Sequence, residues 1–387
     1  METIKQTVAR TFNQLANVLE TGSYGTNPKI AITGIGSEHG EEVVLAGAVL
    51  AARRGADVYY IGTLENPVVT TIPAESDDAC HRKMEELLDS GAVDAAVTMH
   101  YPFPIGVSTV GRIATPAKGK EMFIATTTGA SSTDRTEGMI KNALYGIIAA
   151  KTCGIPRPTV GLLNIDGARQ AEATLRQLCG KGYDIALAES ARADGGAIMR
   201  GNDVLLGVPD VLVCDPLTGN VLMKMLSSYT TGGSYEAAGY GYGPGIGSRN
   251  SGRLVLIVSR ASGAPVIANA IDYAAQLVSG NLAAVAETEF EAADQAGLGR
   301  LLQARKNKTT QPTASEQKPP KSEPVTGSIT GIEVMDIDSA VQVLWKNGIY
   351  AESGMGCTGP LVMMSEKNHD TALELLTRAG YVDQANA

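Results

Sequence analysis

Residues 303–327 read QARKNKTTQPTASEQKPPKSEPVTG, and Val325 is their only sizeable apolar side chain. Such a stretch cannot bury enough apolar surface to offset the entropy of ordering it, so it is expected to be a mobile linker. The chain therefore cannot be one continuous folding unit. Its 387 residues divide into a core at 1–302, the linker at 303–327 and a small module at 328–387. The core is long enough to bury a sizeable interior.

Within the core, short runs rich in Val, Ile and Leu alternate with segments of helical spacing. The expected strands are Ile30–Thr33, Val58–Ile61, Ala92–Thr98, Met122–Thr126, Val160–Leu163, Ile185–Ala188, Val211–Cys214 and Leu254–Val258. The expected helices include Glu41–Arg54, His81–Asp89, Met139–Thr152 and Ala168–Gly180. Continuous apolar strands separated by helices predict an α/β fold with a largely parallel sheet and helices on both faces. The core is too long for one simple doubly wound unit, so two lobes with a cleft are expected. Ligands in such sheets sit at the carboxyl ends of the strands. In the module, strands at Ile332–Ile337 and Leu361–Met364 and helices at Ser339–Lys346 and Thr371–Arg378 predict an α+β or βαβ unit.

Composition excludes several functions. A formal net charge of −9, with no basic stretch outside the linker, argues against nucleic acid as a partner. No apolar run is long enough to span a membrane. The N-terminus lacks a secretory signal and reads as an amphipathic helix, with Ile4, Val8, Phe12, Leu15 and Leu19 near one face. Five scattered cysteines form neither a disulfide framework nor a CxxC metal site. A reduced, cytoplasmic setting and no bound metal are the expectations.

Five local patterns carry possible chemistry. Gly34, Gly36 and Gly40 follow the first strand and open a helix, but their spacing is G-x-G-x-x-x-G and the second strand ends without a ribose-binding carboxylate. A tight turn is expected there, and no nucleotide cofactor. Strand 211–214 leads into Cys214-Asp215-Pro216-Leu217-Thr218-Gly219-Asn220 and then Lys224. Gly219 and Asn220 at a helix N-terminus, with Lys224 a turn further on, could hold an anion. The same pattern also fits a turn capped by Asp215 or Thr218 with Lys224 exposed. The stretch GGSYEAAGYGYGPGIGSRNSG, residues 232–252, is too rich in glycine for a regular element and reads as a loop, either covering a ligand or merely flexible. Ser259 and Arg260, at the end of the next strand, suit bidentate phosphate binding or a surface arginine beside capping serines. Last, Cys357 lies in Gly354-Met355-Gly356-Cys357-Thr358-Gly359-Pro360. A free cysteine is commonly a small buried hydrophobe, but glycines on both sides would let a thioester approach the backbone. Cys80-His81 points two ways on a helix and is no dyad, and Cys153, Cys179 and Cys214 are expected in the core.

Four stretches of the core resemble the phosphate acyltransferases of phospholipid synthesis and, more distantly, the phosphotransacetylases. They are KIAITGIGSEHGEEVVLAGAVLAARRGADVYYIG, VGLLN, GNDVLLGVPDVLVCDPLTGNVLMK and LVLIVSRASGAPVIANAI, in that order. That resemblance implies a two-lobed fold of the phosphate acyltransferase and isocitrate dehydrogenase type. It also implies acyl transfer involving phosphate, with Gly219, Asn220, Lys224, Ser259 and Arg260 in the cleft. With ESGMGCTGPLVMMSEKNHDTALELL included, the whole chain is similar to the alpha subunits of component C of glycine/sarcosine/betaine reductase complexes. This wider resemblance implies that Cys357 carries an acetyl thioester, and that phosphate converts the thioester to acetyl phosphate. It further implies an oligomer with two partners, the component C beta subunit and selenoprotein A. A linker of this length would have an r.m.s. span of about 25–30 Å and keep the thioester at an effective concentration on the order of millimolar. Two other readings stand beside it: a phosphate acyltransferase acting alone with coenzyme A or acyl carrier protein, and a non-catalytic scaffold.

Overall fold

The computed structural model describes residues 12, 15, 16, 19, 27–192, 195–247, 252–309, 319–332, 336–356 and 359–382. The chain divides into two compact units, Met1–Leu163 with Tyr183–Ala293, and Asn164–Gly182 with Asp294–Ala387.

The first unit is built on one twelve-stranded sheet. Its strands are β1 (Lys29–Thr33), β2 (Asp57–Gly62), β3 (Thr70–Pro73), β4 (Ala95–Thr98), β5 (Ser108–Ala114), β6 (Glu121–Gly129), β7 (Thr159–Leu163), β8 (Ala186–Leu187), β9 (Ile198–Met199), β10 (Val211–Val213), β11 (Gly243–Ile246) and β12 (Val255–Ile257). Their spatial order is β3-β2-β1-β4-β12-β11-β5-β6-β10-β7-β8, with β9 also paired to β7. The helices are α1 (Glu41–Arg53), α2 (Asp77–Asp89), α3 (Arg135–Thr152), α4 (Ala168–Gly180), α5 (Gly201–Leu206), α6 (Pro216–Ser228), α7 (Ala264–Ser279), α8 (Leu282–Gln295) and α9 (Leu298–Thr309), of which α4 and α9 belong to the second unit. Local signals set where they start, which for α2 and α3 is four residues before the expected His81 and Met139. The Ser76 hydroxyl accepts from Ala79 N at 3.2 Å to cap α2, and the Asp134 carboxylate accepts from Glu137 N at 2.7 Å to cap α3.

The sheet is mixed in an orderly way. Strands β3, β2, β1, β4 and β12 run parallel to one another. Then β12/β11, β11/β5 and β5/β6 are antiparallel, after which β6, β10, β7, β8 and β9 are again parallel. Three reversals leave the two parallel halves pointing in opposite directions. The carboxyl ends of β10 and β12, which both carry expected site residues, therefore lie at opposite edges of the sheet, and a helix must span between them.

All eight expected core strands are present. The glycine-dense stretch departs from expectation: it is not a loop throughout, because Gly243–Ile246 forms the buried central strand β11. Glycine is required there. At Gly243 φ is +80°, and a Cβ would fall 1.8 Å from the carbonyl oxygen of Val110. Residues 248–251 of the stretch lie outside the described residues.

In the second unit α9 runs on to Thr309, so the first seven residues of the 303–327 segment are helical. Residues 310–318 lie outside the described residues. A three-stranded antiparallel sheet follows, β13 (Gly327–Thr330), β14 (Ala351–Gly356) and β15 (Gly359–Met364), in the order β13-β15-β14. Helices α10 (Ile337–Lys346) and α11 (His369–Ala379) pack on it. The module is α+β and contains a split βαβ: β13 and β14 both run antiparallel to the central β15, hence parallel to each other, and α10 connects them. Its first described strand lies at 327–330; residues 333–335 of the expected strand Ile332–Ile337 lie outside the described residues, Ile337 opens α10, and Ile332 is buried beside Ile329, Leu344, Val362 and Leu376.

Candidate active site

Helix α6 spans the distance between the two sheet edges. It starts at the carboxyl end of β10, where Asp215 accepts from Leu217 N at 3.0 Å, Thr218 N at 3.1 Å and the Thr218 hydroxyl at 2.6 Å, with Pro216 opening the helix. Asp215 is the strand-to-helix turn. Gly219 and Asn220, expected in that turn, lie inside the helix instead. Gly219 lets α6 press onto β6, since a Cβ would meet the Thr126 carbonyl oxygen at 1.8 Å and Cys214 Sγ at 3.0 Å. Asn220 Nδ2 donates to the Thr127 carbonyl at 3.2 Å. Lys224 follows four residues later on the same helical face.

Lys224 Nζ reaches the residues after β12. It donates to the Ser259 hydroxyl and, at 3.1 Å, to Glu236 Oε1, and it lies 5.8 Å from the centre of the Tyr242 ring. Glu236 is 2% exposed and accepts two further hydrogen bonds, from Tyr242 OH at 3.0 Å and Ser262 Oγ at 3.1 Å. Its backbone is pinned as well, with Glu236 N donating to Ala261 O at 2.9 Å and Gly263 N donating to Glu236 O at 2.8 Å. Burial, then the charge of Glu236, pushes the Tyr242 hydroxyl well above its ordinary range, so it stays protonated as a donor. The Ser259 hydroxyl also accepts from Ala261 N at 3.1 Å, while Ser259 N donates to Ser262 Oγ at 3.1 Å. Arg260 is exposed, and its carbonyl accepts from Glu38 N at 2.9 Å, tying this loop to the one after β1.

Lys224 and Ser259 thus meet, Asn220 stands one turn before Lys224, and Arg260 adjoins Ser259. Glu236 was missed by the sequence reading. It sits inside the glycine-dense stretch, where nothing in the spacing marks a buried carboxylate. A cavity of about 290 Å³ at the carboxyl ends of β6 and β10 was also missed, though SSTDR offered a signal; Ser131, Ser132, Thr133, Arg135, Asp215 and Leu217 help line it.

The glycine turn before α1 is filled from within the chain. Glu41 accepts from Tyr60 OH at 2.7 Å, Thr63 N at 2.6 Å and the Thr63 hydroxyl at 2.5 Å. Partial burial pushes its carboxyl up, but the hydrogen bonds from Thr63 and Tyr60 outweigh that and hold it below the usual carboxylate range. A depressed folded-state pKa adds stability that is complete above the ordinary carboxylate pKa and is lost as pH falls through the folded value. Thermal melts of Glu41→Gln should therefore fall furthest below wild type near neutral pH, and the gap should close in acid.

Cys80 is buried, with its thiol against the Ile61 carbonyl at 3.4 Å. The His81 ring is engaged by the carbonyls of Asp77 at 3.0 Å and His100 at 2.8 Å. Cys214 is buried. Burial raises the half-buried Cys153 thiol to about 11. Cys179 is exposed, so it is not the core residue expected. Cys357 and Thr358 lie outside the described residues; the strands on either side of them pair with Gly356 opposite Gly359. Among the described residues no group of three or more His, Cys, Asp or Glu is gathered as a metal site would need. No helix among them is long and apolar enough to cross a membrane.

Residues 28–363 match the family model described as "Fatty acid synthesis protein", and the chain belongs to that family. End to end it is similar to the glycine/sarcosine/betaine reductase complex component C subunit alpha of Peptoclostridium acidaminophilum. The two are 54% identical over 385 residues, which cover 99% of this chain and 100% of that one. The phosphate acyltransferase of Geobacillus sp. (strain WCH70) is 30% identical over 242 residues, covering 51% of this chain and 70% of that protein. Among solved structures, a branched-chain phosphotransacylase from Enterococcus faecalis V583 aligns with a TM-score of 0.45 at 16% identity, covering 65% of this chain and 99% of that one. The likeness to component C subunit alpha thus includes the second unit, whereas the phosphate acyltransferase match covers about half of the chain.

Proposed function

We propose that the chain is the acyl-transfer subunit of a glycine/sarcosine/betaine reductase complex, converting an acetyl thioester on Cys357 and inorganic phosphate into acetyl phosphate. The observation that carries this reading is the Lys224 ammonium, fixed by a buried carboxylate beside Ser259 and Arg260 at the end of a sheet strand. In the proposed step a phosphate oxygen attacks the thioester carbonyl carbon, and a C–O bond forms while the C–S bond breaks. Sulfur leaves with the bonding pair and takes up the proton carried by phosphate, which regenerates the thiol. Arg260 and Ser259 hold phosphate, with Arg260 suited to a bidentate contact. Lys224 donates to the oxyanion that develops on the carbonyl oxygen, where a preorganised donor has its largest effect. Asn220 spends one N–H on Thr127 and keeps the other, with its carbonyl, for substrate. Gly219 keeps the helix against the sheet. The 328–387 module brings Cys357, and a beta subunit and selenoprotein A supply the acetyl group in the cytoplasm.

The reading is tested by incubating the purified chain with radiolabelled acetyl phosphate and mapping any label. A hydroxylamine-labile acetyl group on the Cys357 peptide is expected, close to one per chain. Label that passes only to added coenzyme A, with none on protein, would instead favour a phosphate acyltransferase acting alone.

A further inference from the structure

The acyl-transfer step moves one proton, from phosphate to the departing sulfur, and Lys224 and Arg260 act in it as cations only. The buried Glu236 carboxylate is already occupied by Lys224, Tyr242 and Ser262. The loop between β1 and α1 places an imidazole at the same edge of the sheet. Strands β1, β4 and β12 are parallel neighbours, so the loops after them leave the sheet side by side. The loop after β1 crosses to the 259–263 segment, where the Arg260 carbonyl accepts from Glu38 N at 2.9 Å and from the Ser37 hydroxyl at 3.4 Å. Gly36, with φ at +114°, makes the turn that allows this.

His39 follows directly. Its backbone N–H donates to Ser37 Oγ at 3.1 Å. Its ring makes a T-shaped contact with the Tyr235 ring, with centres 6.1 Å apart and planes at 78°. Tyr235 is seated in turn on Gly263, where a Cβ would lie 2.8 Å from its ring, and it precedes Glu236, the partner of Lys224. The imidazole is thus fixed to the short segments that carry Arg260 and anchor Lys224. His39 is exposed, and among the described residues neither of its ring nitrogens makes a hydrogen bond. The other histidines are placed differently. Both ring nitrogens of His81 face carbonyls, of Asp77 at 3.0 Å and His100 at 2.8 Å. His100 follows β4 and, among the described residues, makes no hydrogen bond to the 259–263 segment. His369 belongs to the second unit.

We infer that His39 is the proton-transfer group of the acyl-transfer step, a role that rests on the acyl-transfer reading above. As a phosphate oxygen forms the C–O bond, a ring nitrogen of His39 takes up the phosphate proton. As the C–S bond breaks, that proton passes to the sulfur, which keeps the bonding pair. The thiol and the neutral imidazole are both restored. In the reverse direction the neutral imidazole takes the thiol proton as sulfur attacks acetyl phosphate, and returns it to the departing phosphate. A thiol needs such a base because the thiolate is the nucleophile, and imidazole serves as base one way and acid the other.

Arsenate-dependent hydrolysis of acetyl phosphate by the full chain reads the step without partner proteins, taken as the rate above that of Cys357→Ala in the same mixture. His39→Ala should lower kcat about 100-fold or more, while His100→Ala should match the wild type. Added imidazole should raise the His39→Ala rate about 10-fold or more, since it can enter the space an exposed side chain vacates, and should leave the wild type unchanged. A residue that only supports Tyr235 would not be rescued in this way. Should His39→Ala fail to fold, diethyl pyrocarbonate on the wild type replaces it: activity should fall in step with modification of His39, and inorganic phosphate should slow both. A wild type without Cys357-dependent activity would overturn the acyl-transfer reading and this role with it. An active wild type with His39→Ala at the same rate, or with activity that survives full modification of His39, would overturn this role alone. A slow His39→Ala that imidazole does not revive would also overturn it, leaving His39 as a support for Tyr235.

Discussion

Replacing Lys224 by methionine should slow arsenate-dependent hydrolysis of acetyl phosphate about 100-fold or more, the usual cost of losing one oxyanion donor. Arsenate takes the place of phosphate and its acyl ester breaks down at once, so the half-reaction runs without partner proteins. Methionine matches the lysine stem in length and removes only the charge and donors. Glu236 keeps the hydroxyls of Tyr242 and Ser262, so the fold should survive. The loss should fall mainly on kcat, because the role assigned to Lys224 is played in the transition state. Arg260→Met should instead raise the KM for arsenate, as expected of a group that holds the anion in ground and transition states alike. Equal, small effects from both substitutions would remove this cluster from the chemistry.

The second large effect concerns the scaffold. Gly219→Ala should destabilise the first unit by about 3 kcal/mol or more, because the new methyl has no place to go. A Cβ there stands 1.8 Å from the Thr126 carbonyl oxygen. That oxygen belongs to the backbone of central strand β6 and cannot swing aside. Helix α6 would have to lift off the sheet and carry Asn220 and Lys224 with it. A fall in melting temperature of roughly 6–10 °C is expected for a unit of this size. Gly180→Ala, where the added Cβ has nothing within 4 Å, serves as the control and should be neutral or slightly stabilising. Equal melts for the two variants would mean that α6 does not lie so close to β6.

How much of this was legible in the sequence follows from what each element asks of its residues. Strands such as β1, β4, β6 and β10 are buried almost throughout, so they announce themselves as unbroken apolar runs. Strand β5 does not, because Gly111 and Arg112 interrupt it. The arginine is tolerated in the core because it is bonded to Glu121 and Gln276 and lies 4.4 Å from the centre of the Tyr240 ring. Strand β11 reads Gly-Pro-Gly-Ile, a composition that argues against a central strand; close backbone approach to β5 outweighed propensity. Since β5 and β11 are the strands around which the sheet reverses, the opposed direction of its two halves was hidden with them.

The candidate site was legible to a similar degree. Lys224 and Ser259 lie 35 residues apart and were singled out separately, each at a strand-to-helix connection. Their meeting depends on α6 crossing the sheet, which spacing does not disclose. The Asp215-Pro216 pair was the true helix start, and reading it that way would have placed Gly219 and Asn220 inside the helix.

In the proposed function Cys357 carries the acyl group that phosphate removes. The deciding measurement is arsenate-dependent hydrolysis of acetyl phosphate by the purified wild type and Cys357→Ala chains. Activity is expected in the wild type and should be lost in the variant, with the melting temperature unchanged. Activity that persists in Cys357→Ala would show that acyl transfer proceeds without the cysteine and would overturn the proposed role.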